Sequence, residues 1–147
     1  MSNYLDNPKA RFDYEIMDEY EAGIELLGFE VKSARAGHGS LTGAYIIVRG
    51  GEVFITGLRI DPYQPGNTPD YDPLRTRKLL LTKKEIHELA ETELKKGLTM
   101  VPLALYNKGS KIKVRFAIAR GKKKFDKRET IKKRDTDRDL RRTLKIR

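Results

Sequence analysis

Between Phe12 and Leu26 the apolar residues fall on alternate positions (Phe12, Tyr14, Ile16, Tyr20, Ala22, Ile24 and Leu26), with Asp13, Glu15, Glu19, Glu21 and Glu25 between them. A period of two matches the pleat of a β-strand, so the pattern predicts a long half-buried strand, bent or broken near Gly23. A second alternation sets Ile112, Val114, Phe116 and Ile118 against Lys111, Lys113 and Arg115. It follows the turn signal "NKG" at 107–109 and predicts the return strand of a hairpin with a cationic stripe on one face.

The remaining elements are read from their punctuation. Two apolar runs flank Gly50 and Gly51 in "AYIIVRGGEVFITGLRI", which predicts a hairpin whose turn needs positive φ. "GFEVKSARAG" at 28–37 places Phe29, Val31 and Ala34 at helical spacing and predicts a short helix. Pro62, Pro65, Gly66, Pro69 and Pro73 predict a long surface loop over 61–77. Thr82 and Glu85 form a capping-box pattern ahead of the stripe Ile86, Leu89, Ala90 and Leu94, and Gly97 stops that helix. Several short strands at hairpin spacing with one or two helices predict a mainly β fold, a small antiparallel barrel that is closed or nearly so.

Charge divides the chain of 147 residues in two. Residues 120–147 hold 14 Lys/Arg and 5 Asp/Glu, and residues 1–119 hold 17 and 16, so most of the net charge of +10 lies in the last fifth. Excess positive charge attracts polyanions, and nucleic acid leads that class because a phosphate backbone releases counterions on binding. Anionic membrane surfaces come second. The stretch after Gly121 has no apolar face beyond Leu140 and Leu144, so it buries too little to offset its ordering entropy and is expected to be disordered when free. Absence of cysteine points to a reducing compartment. No signal-like segment or run of about 18 apolar residues is present, so a soluble, cytoplasmic protein is expected.

Several constellations carry chemistry only in one of two readings. The carboxylates at 13, 15, 19, 21 and 25 are either a solvent face or a site, and catalysis or metal binding would need ligands converging from elsewhere. One of them could also accept hydrogen bonds from a nucleobase. His38 and His87 stand without a nucleophile at a recognisable spacing, so nucleophilic catalysis has no support, and "GHGSLTG" lacks the ending of a P-loop and reads as a loop. Lys111, Lys113 and Arg115 are a solvated stripe or a phosphate-contact surface continuous with the tail. In "KKKFDKR" the aromatic ring of Phe125 sits among Lys122, Lys123 and Lys124, where base stacking is worth about 1–3 kcal/mol. Such a run is also compatible with an address label.

Three motifs in order carry a resemblance: "YEAGIELLGFEVKSARAG" at 20–37, "DPLRTRKLLL" at 72–81 and "GKKKFDKRETIKKRD" at 121–135. From about Asn7 to the C terminus the chain resembles the small protein B (SmpB) family, bacterial SsrA-binding proteins that bind transfer-messenger RNA in trans-translation. The resemblance implies an oligonucleotide-binding barrel with flanking helices over 1–120 and a basic tail over 121–147, with no enzymatic activity and no cofactor. It implies a monomer whose partners are the transfer-RNA-like domain of transfer-messenger RNA, 16S ribosomal RNA and the stalled 70S ribosome, and no membrane. By motif, Asn7, Glu21, Leu80 and Lys113 match the family's RNA-binding positions. In the tail, Asp126, Lys127 and Arg128 match its "DKR" element, and Ile131, Lys132 and Arg134 its "IKxR" element, with Leu144 an aliphatic residue near the end. The family's tail is implied to order as a helix in the empty message channel beyond the decoding centre. Phe125 stands where some relatives carry histidine.

Overall fold

Both long alternations become eleven-residue strands in the computed structural model, which describes residues 3–64, 66 and 70–122. In chain order the elements are β1 (Asn3–Asp6), α1 (Pro8–Asp13), β2 (Tyr14–Ile24), α2 (Gly28–Arg35), β3 (Gly39–Ser40), β4 (Tyr45–Arg49), β5 (Glu52–Thr56), β6 (Arg59–Ile60), β7 (Arg77–Leu80), α3 (Lys83–Glu93), β8 (Leu98–Lys108) and β9 (Lys111–Gly121). Seven strands pair antiparallel in the order β1-β8-β9-β2-β7-β5-β4, and β3 with β6 forms a separate two-stranded sheet. The first hairpin closes as its glycines demand: Arg49 pairs with Glu52 across Gly50 at φ 60° and Gly51 at φ 76°, conformations that cost other residues about 1–2 kcal/mol each.

The sheet is not closed by hydrogen bonds, since β1 and β4 are its edges. It curls until β4 lies against β8, and α3 covers the seam. There the Glu93 carboxylate accepts hydrogen bonds from the Val48 amide and from Arg49 at 2.9 Å, satisfying part of an edge that would otherwise invite strand addition. Thr82 caps α3 as its sequence predicts, accepting from the Glu85 amide at 3.2 Å while Glu85 accepts from the Thr82 amide at 3.0 Å. Inside the curl, Ile55, Leu79, Leu105, Val114 and Phe116 form one core with Leu89 of α3 and Ala34 of α2.

Two boundaries and one strand interior differ from the sequence reading. Phe12 and Asp13 belong to a helix, and the strand begins only at Tyr14. Pro8 pre-sets the first helical φ, and Ala10 packs on Val101, Leu103, Ala117 and Ala119 of the outer face of β8 and β9, so a tertiary contact overrides the local alternation. A bulge between Ile16 and Glu19 interrupts β2 and leaves Met17 exposed. Finally, the proline-rich loop ends one residue early, because Arg77 pairs with Ile55 and is buried.

Candidate nucleic-acid interface

Register decides which side chains share the outer face of the long strands. Glu21 of β2 lies opposite Arg115 of β9, Gly23 opposite Lys113, Lys113 opposite Tyr106 of β8, and Lys111 opposite Lys108. Because Val114 and Phe116 point into the core, Lys111, Lys113 and Arg115 point away from it, and the expected cationic stripe is formed. Glu21 sits within it. Its Oε1 accepts from Lys108 Nζ at 3.0 Å and its Oε2 accepts from the Tyr106 hydroxyl, while the Arg115 guanidinium lies 5.0 Å from the Tyr106 ring centroid. These hydrogen bonds, that of Tyr106 first and that of Lys108 next, hold the Glu21 carboxyl below its ordinary range. Burial and the same carboxylate push the Tyr106 hydroxyl up to about 12.

Beside this cluster runs a groove of about 450 Å³. Leu26, Val31 and Leu80 give it apolar walls, and Arg35, Lys111 and Lys113 supply cations. Leu80 is 50 % exposed although it sits in a paired strand. The pairing strand narrows to make this possible: a Cβ on Gly23 would stand 3.3 Å from the Leu80 Cβ. Gly23 is also where β2 is paired on both sides, with Lys113 of β9 and Leu80 of β7, and β2 runs unbroken through it to Ile24.

The groove's two walls are tied together from below. Glu30 of α2 and Arg77 of β7 are fully buried, and the Arg77 Nε donates to Glu30 Oε2 at 2.8 Å. Arg75 joins the same carboxylate, Tyr71 donates to it at 2.7 Å, and the Leu27 amide donates at 2.7 Å at the helix start. Arg77 further donates to the carbonyls of Leu58 at 2.7 Å and Pro73 at 3.2 Å. Burial alone would raise the Glu30 carboxyl, yet the bonds from Arg75, Leu27, Arg77 and Tyr71 outweigh it and hold it at about 2. Arg75 and Arg77, cations of the loop sequence, are thus engaged by Glu30, Arg77 fully buried and Arg75 partly exposed.

Asn7 lies outside this assembly. It is 7 % exposed, and its Nδ2 donates to the Pro102 carbonyl at 2.8 Å and the Leu41 carbonyl at 3.5 Å, while its amide donates to Leu103 at 3.0 Å. It pins the start of α1 to β8. Lys122 donates through its amide to the Asp13 carbonyl at 2.9 Å and through Nζ to the Arg11 carbonyl at 3.0 Å, tying the chain just past β9 to α1. Lys123, Lys124, Phe125, Asp126, Lys127, Arg128, Ile131, Lys132, Arg134 and Leu144 lie outside the described residues. Among the described residues no group of three His, Asp or Glu side chains is gathered as a metal ion requires, and the β2 carboxylates diverge, Glu19 to Arg11 and Glu21 to Tyr106 and Lys108. His87 is exposed beside Glu91 on α3. No helix among the described residues is long and apolar enough to cross a membrane.

Sequence reasoning singled out Glu21, Leu80 and Lys113 but missed Arg35, Tyr106, Lys108 and the Glu30–Arg77 pair. Tyr106 and Lys108 become neighbours of Glu21 only through strand register across β9, which no local pattern encodes.

Known proteins resemble this chain in sequence and fold. The model of the SmpB protein family matches residues 4–146. An SsrA-binding protein of Gloeobacter violaceus is 50 % identical over 141 residues, 96 % of this chain and 93 % of that protein. One of Lactobacillus delbrueckii subsp. bulgaricus is 52 % identical over 140 residues, 95 % of this chain and 92 % of that protein. Among solved structures, a chain from "tmRNA-SmpB: a journey to the center of the bacterial ribosome" superposes with a TM-score of 0.68 at 48 % identity, covering 81 % of this chain and 84 % of that one. With a fold that superposes on that chain and half its residues identical to those of SsrA-binding proteins along nearly its whole length, the chain belongs to the SmpB family.

Proposed function

We propose that this protein is a non-catalytic RNA-binding adaptor of trans-translation. Its body, residues 1–120, binds the transfer-RNA-like domain of transfer-messenger RNA and brings it to the A site of a stalled ribosome. The observation that carries this reading is the joining of an exposed apolar residue, Leu80, to a cationic face of Lys111, Lys113 and Arg115 in one groove-bearing surface. Cations there meet phosphates, while Leu26, Val31 and Leu80 offer apolar contact to the flat face of an unpaired base or a sugar. The relatives are named SsrA-binding proteins, and the similar solved chain comes from work whose name joins tmRNA and SmpB with the bacterial ribosome, both of which support these partners.

The tail, residues 121–147, is the second module of the proposal. With Lys122 anchored near the start of β2, it enters the decoding centre and the empty message channel, where Phe125 and the elements from Asp126 to Arg134 contact 16S ribosomal RNA, with Leu144 near the far end. Peptide tagging and ribosome release follow from that placement.

A reconstituted tagging reaction on ribosomes stalled at a truncated message tests this division. A chain ending at Lys122 keeps its affinity for the transfer-RNA-like domain within a few-fold and loses tagging. Loss of tight RNA binding in the shortened chain would contradict two separable modules, and specific RNA cleavage by the purified protein would contradict an adaptor.

A further inference from the structure

Glu21 raises an electrostatic difficulty for an RNA-binding face, because a carboxylate repels phosphates. The structure answers it with neighbours. Both carboxylate oxygens are occupied, one by the Lys108 ammonium at 3.0 Å and one by the Tyr106 hydroxyl, and the Glu21 side chain is only 32 % exposed. Tyr106 is buried to 4 % exposure, so its ring is a fixed plate, and the Arg115 guanidinium lies 5.0 Å from its centroid. Across the hairpin Lys108 is opposite Lys111, a like-charge pair that would drive the two ammonium groups apart without an anion beside them.

We propose that Glu21 is a positioning residue that does not touch the RNA: it clamps the Tyr106 hydroxyl and the Lys108 ammonium, and through the Tyr106 ring it sets the Arg115 guanidinium for phosphate contact. This inference rests on the RNA-binding reading above. It assigns phosphate contacts to Lys108 and Arg115, and a supporting role to Tyr106. The chemistry is consistent with the donor count. A lysine has three N–H donors, Glu21 takes one, and Lys108 is exposed enough to turn the others to a phosphate. Arg115 stands beside the same ring, its guanidinium 5.0 Å from the centroid and in reach of the Tyr106 hydroxyl, and a guanidinium has five N–H donors, so others remain to meet a phosphate. The low Glu21 and high Tyr106 proton affinities agree with a hydrogen bond held in the free protein, before any RNA arrives.

A double-mutant cycle on the full chain tests this, with Glu21→Gln, Tyr106→Phe and the pair titrated against the transfer-RNA-like domain over a salt series, and a plain RNA duplex as control. Each single change should weaken binding about tenfold and flatten the dependence of log K on log salt by about one phosphate contact, roughly 0.7–0.9 in slope. The double variant should be no more than about twofold weaker than either single one, since both break one device. Carbon-13 tyrosine spectra of the free protein should show the Tyr106 ionisation falling from about 12 towards the ordinary value near 10 in Glu21→Gln. Glu21→Gln that weakens binding at an unchanged slope, with an effect that multiplies with that of Tyr106→Phe, would mean that the carboxylate touches a base and overturn the proposal. Binding unchanged in either variant would overturn it as well. A wild-type chain that holds the duplex as tightly as the transfer-RNA-like domain is a separate result, which overturns the functional reading and the proposal built on it.

Discussion

At the scale of single residues, Glu30 and Arg77 carry the largest local stake. Removing one member of a buried, hydrogen-bonded ion pair leaves the other charge uncompensated, which costs about 3–5 kcal/mol. Glu30→Ala is therefore expected to lower the unfolding free energy by that amount in urea titrations, and Arg77→Ala comparably, whereas Glu52→Ala, which loses only the exposed partner of Lys78, should change it by less than about 1 kcal/mol. The pair also sets an acid limit. The Glu30 carboxyl is held at about 2 in the folded protein, below its ordinary 4.5, so its stabilisation is complete above the ordinary value and is lost as pH falls from there towards about 2. Unfolding measured across that window should show a stability decline that Glu30→Gln reduces, the remainder including the share of Glu21, whose carboxyl is also held low. The sequence offers no hint of the pair, since Glu30 sits on a helix too short to show a charged position turned inward, and Arg77 follows four prolines. Lys113 was legible for the opposite reason: its strand announces its own faces.

Elements that could be read are those specified by neighbours in sequence. The Gly50–Gly51 turn and the Thr82–Glu85 cap each complete their hydrogen bonds within four residues, so their residue types suffice. Replacing both turn glycines with alanine forces two residues into left-handed backbone and should destabilise the protein by about 1–2 kcal/mol per position, read as a shift in the urea midpoint at constant slope. By contrast, α1 has six residues and one buried side chain, and it forms because Ala117 and Ala119 leave a flat bed for Ala10. Its partners are about a hundred residues away, which explains why alternation at Phe12 and Asp13 misled. The β2 bulge belongs to the same class. Gly23 lies between: the glycine was visible, but its purpose, passing β2 against Leu80, required β7. Gly23→Val should press on Leu80 and weaken RNA binding several-fold while reducing stability modestly, as binding and melting curves of the same variant would report.

For the whole molecule, the fold separates support from contact. A core of β-strand and helix side chains carries the outer face of β8, β9 and the end of β2, and the Glu30–Arg77 network locks α2 to β7 so that Arg35 and Leu80 stand across one groove. A barrel was legible from the hairpins, but its open seam between β4 and β8 was not, because closure depends on where α3 settles. Charge segregation was visible from the order of the residues, and the body's proposed RNA face was only half visible, since it needed register. The measurement that bears most directly on the account is a salt-series titration of the full chain against the transfer-RNA-like domain of transfer-messenger RNA, with excess plain duplex of equal length as competitor. Binding that survives the duplex at physiological salt is the predicted result, because the groove joins apolar contact to phosphate contact. Equal affinity for both RNAs, falling together as salt rises, would contradict it and leave counterion release as the sole source of binding.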